Sequence, residues 1–136
     1  MKLKVLHHDK FKIAATMNGT ECEVEAFFEE SISNSNYEAS AEGLFVLIER
    51  IAKDGLDGLS PHVWHLVDKD NKIYELIKGD LRLLFFKGPG DLLVIASHGF
   101  IKKTQKTPDN EKNKAIRRKK QYQKDCDACN IELVDE

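Results

Sequence analysis

Between residues 62 and 97 the chain passes through four short apolar segments, HVWHLV (62–67), KIYELI (72–77), LRLLFF (81–86) and LLVIAS (92–97). The breaks between them are brief and turn-prone, with Lys78-Gly79-Asp80 and Gly88-Pro89-Gly90-Asp91 as the clearest. A parallel crossover takes about a dozen residues or more, so links this short favour antiparallel neighbours joined by tight turns. The block reads as four successive strands in a meander.

The flanks supply the rest of the fold. Lys2–Leu6 and Phe11–Met17 are β-rich, and Asn18-Gly19 supplies a turn, which predicts one or two N-terminal strands. Thr20-Glu21-Cys22-Glu23 fits a capping box, and Val24, Phe27, Phe28 and Ile32 then recur at helical spacing as far as about Ser33. After the polar SNSN stretch, Ala41, Leu44, Phe45, Ile48, Ile51 and Ala52 form the stripe of a second helix that ends near Asp54-Gly55. Thr107-Pro108 places a capping hydroxyl before a first-turn proline, opening a final helix to about Lys124. The fold class expected is α+β: two N-terminal helices and a basic C-terminal helix packed with an antiparallel sheet of about four main strands.

At 136 residues the chain suits one domain, here 1–124, followed by an acidic tail, 125–136. No apolar run approaches the roughly 20 residues of a bilayer span, so no membrane is expected as a partner. The N-terminus lacks the apolar core of a signal peptide, and the three cysteines have no framework spacing, so a cytoplasmic location is expected.

The net charge of −2 hides a strong division. Residues 1–70 carry 7 Lys/Arg against 13 Asp/Glu, residues 71–124 carry 14 against 5, and residues 125–136 carry none against 5. A concentrated cationic segment attracts polyanions whatever the overall balance, which makes the middle segment the expected contact surface for nucleic acid. Cys126 and Cys129 have half the spacing of a zinc site but lack a second close pair, and strand or loop polarity accounts for His7, His8, His62 and His65. No metal and no cofactor are expected. Gly88-Pro89-Gly90 belongs to a hairpin turn rather than a phosphate loop.

Residues 72–122 combine a Tyr-Glu-Leu strand, an Arg-x-x-x-Phe strand, an apolar strand ending in His-Gly-Phe, and Lys-Lys-Thr-Gln-Lys-Thr-Pro opening a basic helix. This segment resembles the phage-derived branch of the RelE/HigB toxin family, within the wider RelE/ParE superfamily. The resemblance implies a type II toxin, neutralised by a helix-turn-helix antitoxin encoded alongside. Its implied activity is a metal-independent endoribonuclease that cuts mRNA on the ribosome by attack of a ribose 2'-hydroxyl on the adjacent phosphate. Ribosomal RNA would be a further contact.

By that resemblance Arg82 takes the scissile phosphate, Lys102 joins it in stabilising the transition state, and His98 and Tyr122 are candidates for proton transfer. For Arg82 the other role is an ordinary strand-surface ion pair, for His98 a hydrogen-bonded histidine at a strand end, and for Tyr122 base stacking or anchoring the helix. Lys78, Lys103, Lys106, Arg117, Arg118 and Lys120 are the expected RNA-binding cations. Two rival classes remain open, a ParE-like inhibitor of DNA gyrase and a phage-derived RNA- or protein-binding module without catalysis. The acidic tail is expected either to fold back as a strand shielding the RNA surface or to be disordered.

Overall fold

The computed structural model describes residues 1–135. Its sheet is built from β1 (Lys2–His8), β2 (Lys12–Asn18), β3 (Glu21–Cys22), β4 (Trp64–Asp68), β5 (Ile73–Lys78), β6 (Leu81–Lys87), β7 (Leu92–Ile101) and β8 (Glu132–Val134). The helices are α1 (Glu23–Ile32), α2 (Glu38–Asp54) and α3 (Asp109–Asp127). Strand order is β4-β5-β6-β7-β2-β1-β8, with β3 paired only to β2.

This corrects the expected antiparallel sheet of about four main strands with two helices ahead of it. Among the described residues there are eight strands and the sheet is mixed, because β2 runs parallel to β7 and β8 runs parallel to β1. The N-terminal hairpin does not stand apart from the meander. It docks on β7 and extends the sheet, so Ile13, Ala14 and Ala15 of β2 are fully buried.

Helices cover both faces. Val24 and Phe28 of α1 and Leu44, Ile48 and Ile51 of α2 pack on Leu76, Leu83, Phe85 and Val94. Ala115 and Tyr122 of α3 pack on the opposite face, with Ile73, Leu84, Phe86 and Ile95. Burial on both sides explains why β6 reads as a continuous apolar run rather than an alternating one. The lone exceptions within such runs, Glu75 in β5 and Arg82 in β6, therefore stand out.

Two helix starts differ from expectation. Cys22, not Thr20, is the N-cap of α1 and makes no side-chain cap bond, because Glu21 and Cys22 are drawn into pairing with Asn18 and Met17. Helix α3 begins one residue later than Pro108, and the Thr107 hydroxyl bonds a side chain instead of capping the helix.

Helix α1 crosses β7 at Gly99, where an added Cβ would lie 2.3–2.8 Å from three atoms of the Phe27 ring. Gly99→Ala is therefore expected to cost about 2 kcal/mol by overpacking. Urea denaturation should show the lower midpoint, and Phe27→Leu should recover part of the loss.

Candidate functional site

Register brings four side chains into one row on the α3 face of the sheet. His65 pairs with Glu75, Glu75 with Leu84, and Leu84 with His98. Two residues along, Ile77 pairs with Arg82, so Arg82 is the diagonal neighbour of Glu75 on the same face.

Glu75 is fully buried. Its Oε2 accepts a hydrogen bond from the Thr107 hydroxyl at 2.8 Å. Its Oε1 lies 3.3 Å from His65 Nε2 and 3.6 Å from Arg82 Nε. Neither Glu75 Oε1 nor Arg82 Nε makes a hydrogen bond of good geometry. Buried charges left short of hydrogen bonds are costly, and they concentrate where a protein uses them.

Above Glu75 opens a cleft of about 270 Å³ whose walls include His65, Lys102, Gln105, Lys106, Thr107 and Lys112. His65 and Thr107 both line the cleft and both approach the carboxylate, so Glu75 lies just beneath its floor. The Lys102 amide donates to the Asp80 carbonyl at 2.7 Å, which fixes the lysine segment against the β5–β6 turn. The His65 side chain is 43% exposed. A half-open imidazole beside a buried carboxylate, in a cleft lined by three lysines, is equipped to bind a phosphate and exchange a proton beside it.

Arg82 serves this floor from inside. Its side chain is only 13% exposed, and Nη1 donates to the carbonyls of Gly79 (2.7 Å) and Leu81 (2.9 Å). Gly79 adopts φ 57°, the left-handed turn conformation glycine tolerates, so Arg82 clamps the turn and stands beside Glu75.

His98 is 1% exposed and does not line the cleft. Nδ1 lies 2.9 Å from the Ser97 hydroxyl and Nε2 lies 3.1 Å from Glu111 Oε1; in a neutral ring Nε2 donates to the carboxylate and Nδ1 accepts from Ser97. Burial, aided by Lys114 and Arg118 and opposed by Glu23, holds its pKa down to about 4. The unfolded value lies near 6.5, so on acidification the unfolded chain takes up the proton first. Stability from this group is complete above pH 6.5 and is lost as pH falls toward 4. Between pH 7.5 and 4.5 wild type is expected to lose about 2–3 kcal/mol more than His98→Gln, measured by urea denaturation at both pH values.

Residues 35–120 match the family described as Phage derived protein Gp49-like (DUF891). The chain belongs to this phage-derived Gp49-like family. No curated protein matches it. All the cleft residues, with Glu75 and Arg82, lie inside the matched range, whereas β1, β2, β3, α1 and Tyr122 lie outside it.

In this Gp49-like protein the remaining cations divide into bound and free. Lys114 and Arg118 both bind Glu23, at 2.5 and 2.9 Å, and Arg118 also donates to the Ser97 carbonyl, tying α3 to α1 and β7. Burial raises the Glu23 carboxyl pKa, but the bonds from Lys114 and Arg118 outweigh it and leave the pKa lowered. Lys119 donates to the Asn71 carbonyl. Lys103, Lys106, Arg117 and Lys120 are exposed. Lys78 points to the other face of the sheet, lying over Gly43 of α2. Tyr122 is buried against Phe86, with ring centroids 5.5 Å apart, and burial pushes its hydroxyl up to about 12.

The tail folds back as β8 beside β1, at the opposite edge of the sheet from β4 and the cleft. Its last residue, Glu136, lies outside the described residues. Cys126 and Cys129 are free and exposed. Among the described residues no three His, Cys, Asp or Glu side chains gather as metal ligands, and no helix is long and apolar enough to cross a membrane.

Sequence reasoning passed over His65 and Glu75. One signal was present: Glu75 is the only acidic residue inside the KIYELI run, and a carboxylate in a buried strand requires a partner.

Proposed function

We propose that this chain is the toxin of a type II toxin–antitoxin pair, cutting mRNA on the ribosome as RelE/HigB toxins do, with the lysine-lined cleft as its active site. The observation that carries the reading is the half-exposed His65, 3.3 Å from buried Glu75, in one cleft with Lys102, Lys106 and Lys112. Attack of a ribose 2'-hydroxyl on the adjacent phosphate builds negative charge on the phosphoryl oxygens. Lysines converging on one cleft stabilise that charge, and the chemistry asks for little more than geometry and a proton carrier.

In this scheme His65 Nε2 is turned to Glu75, which leaves Nδ1 as the ring nitrogen that exchanges protons with the ribose or the leaving oxygen. Arg82 is a positioning residue, holding Glu75 and the β5–β6 turn. Lys103, Arg117 and Lys120 extend the cationic surface beyond the cleft for the RNA backbone. The protein acts in the cytoplasm, and a helix-turn-helix antitoxin encoded beside it is its partner.

The test is induced expression of wild type and of Lys102→Ala/Lys106→Ala in bacteria, with growth followed and 5'-ends of cellular mRNA mapped. Growth arrest with codon-phased cuts, both lost in the double variant, is the expected result. Arrest with intact mRNA and blocked DNA supercoiling would replace this reading with gyrase inhibition. Normal growth on wild-type expression would leave a binding module without catalysis.

A further inference from the structure

Strand β4 is a free edge of the sheet, and its alternate residues face different hollows. His65 points to the lysine-lined cleft. On the other side Leu59, Pro61, Trp64, Leu66 and Tyr74, with His65 again, line a second hollow of about 280 Å³. His65 and Leu66 are walls of both, so the two adjoin across the strand edge.

The second hollow is built on aromatic rings. Trp64 and Tyr74 lie 5.5 Å apart between centroids, and Tyr74 stacks on Phe85 at 5.4 Å and 22°. The exposed Lys87 places its ammonium 5.0 Å from the Tyr74 ring centre and 5.5 Å from that of Trp64. Leu66, at its rim, is 43% exposed, although a large apolar side chain on an edge strand is better buried. Packing explains why Trp64 and Tyr74 touch the core, but it does not explain why an aromatic hollow stays open, with a cation beside its rings, next to a lysine-lined cleft.

We propose that this hollow is a nucleobase subsite: the RNA strand crosses the β4 edge, with a phosphate under Lys102, Lys106 and Lys112 and the neighbouring base against Trp64 and Tyr74. Every base has a π-face, so such a platform binds without strict sequence preference, while Lys87 meets the next phosphate. The proposal rests on the RNA reading of the cleft and adds the group that determines where a nucleotide sits.

Trp64 is the chain's only tryptophan, so its emission reports on this hollow alone. The experiment titrates the full-length protein at low salt with a short 2'-O-methyl oligoribonucleotide, and with an abasic oligonucleotide of the same length. Trp64 emission and the anisotropy of an end label are followed together. Both ligands are expected to bind with strong salt dependence, the base-bearing one about ten-fold tighter, and only that one should quench Trp64. Trp64→Leu should erase the affinity difference and Trp64→Phe should keep it, with thermal melts reporting on folding. The wild-type emission change needs no variant and stands if Trp64→Leu fails to fold. Equal affinity for both ligands with unchanged emission would overturn the base subsite and leave the phosphate cleft standing. Binding of neither would overturn the cleft reading, and the hollow with it.

Discussion

His65→Asn is expected to lower the rate of mRNA cleavage on programmed ribosomes by about 10²- to 10⁴-fold, the usual contribution of a positioned acid–base group. The fold should not notice. The side chain is 43% exposed, and a partly exposed ion pair of this kind is worth about 0–1 kcal/mol, so the loss of stability should be small beside the loss of rate. The measurement is single-turnover cleavage at saturating protein, alongside urea denaturation. His98→Gln is the matched control. That ring is buried between Ser97 and Glu111, so its loss should lower stability and leave the cleavage step at saturation nearly unchanged. Cleavage by His65→Asn at the wild-type rate would remove the imidazole from the chemistry and leave the cleft as a phosphate-binding site.

Periodicity made the separate elements legible. The stripe Ala41, Leu44, Ile48, Ile51 and Ala52 is the buried side of α2, with Phe45 of the expected stripe 42% exposed, and the four apolar runs from His62 onward mark β4 to β7. How they assemble was not legible. Whether β2 pairs only with its hairpin partner or also docks on β7 depends on a contact between residues about eighty positions apart, such as Ala15 with Ala96. Nothing local encodes that choice, and so a mixed eight-stranded sheet looked like a smaller antiparallel one. The capping box failed for a related reason, since pairing of Glu21 and Cys22 with β2 competed for the residues that would have formed it.

The site divides in the same way. Lys102 and Lys106 were visible because charge density is a property of composition, and they line the cleft. His65 and Glu75 become a pair only through strand register. A slip of one residue would turn Glu75 toward α1 and α2, away from Thr107 and Arg82. Charge counting also overstated α3, because Lys114, Arg118 and Lys119 hold the helix to α1, β7 and Asn71 and are not offered to a ligand.

Glu75→Gln is expected to destabilise the protein by about 3–4 kcal/mol, near the lower end of the cost of breaking a buried ion pair by removing one partner. The amide keeps the shape and can still accept from Thr107, so the loss reports on charge rather than on a cavity. It leaves the nearly buried Arg82 guanidinium without its counter-charge and His65 without its carboxylate. Urea denaturation gives the stability and ribosomal cleavage gives the function. The decisive comparison is Glu75→Leu/Arg82→Met, which removes both charges. Hydrophobic replacement of a whole buried pair is often neutral or stabilising. The double variant should therefore recover most of the stability lost in Glu75→Gln while remaining as inactive as His65→Asn. That outcome would mean the pair is retained for His65 and the cleft above it, at a cost to the core. A double variant that is stable and fully active would assign the pair no part in the chemistry, and a double variant less stable than Glu75→Gln would make the pair a structural support of the sheet.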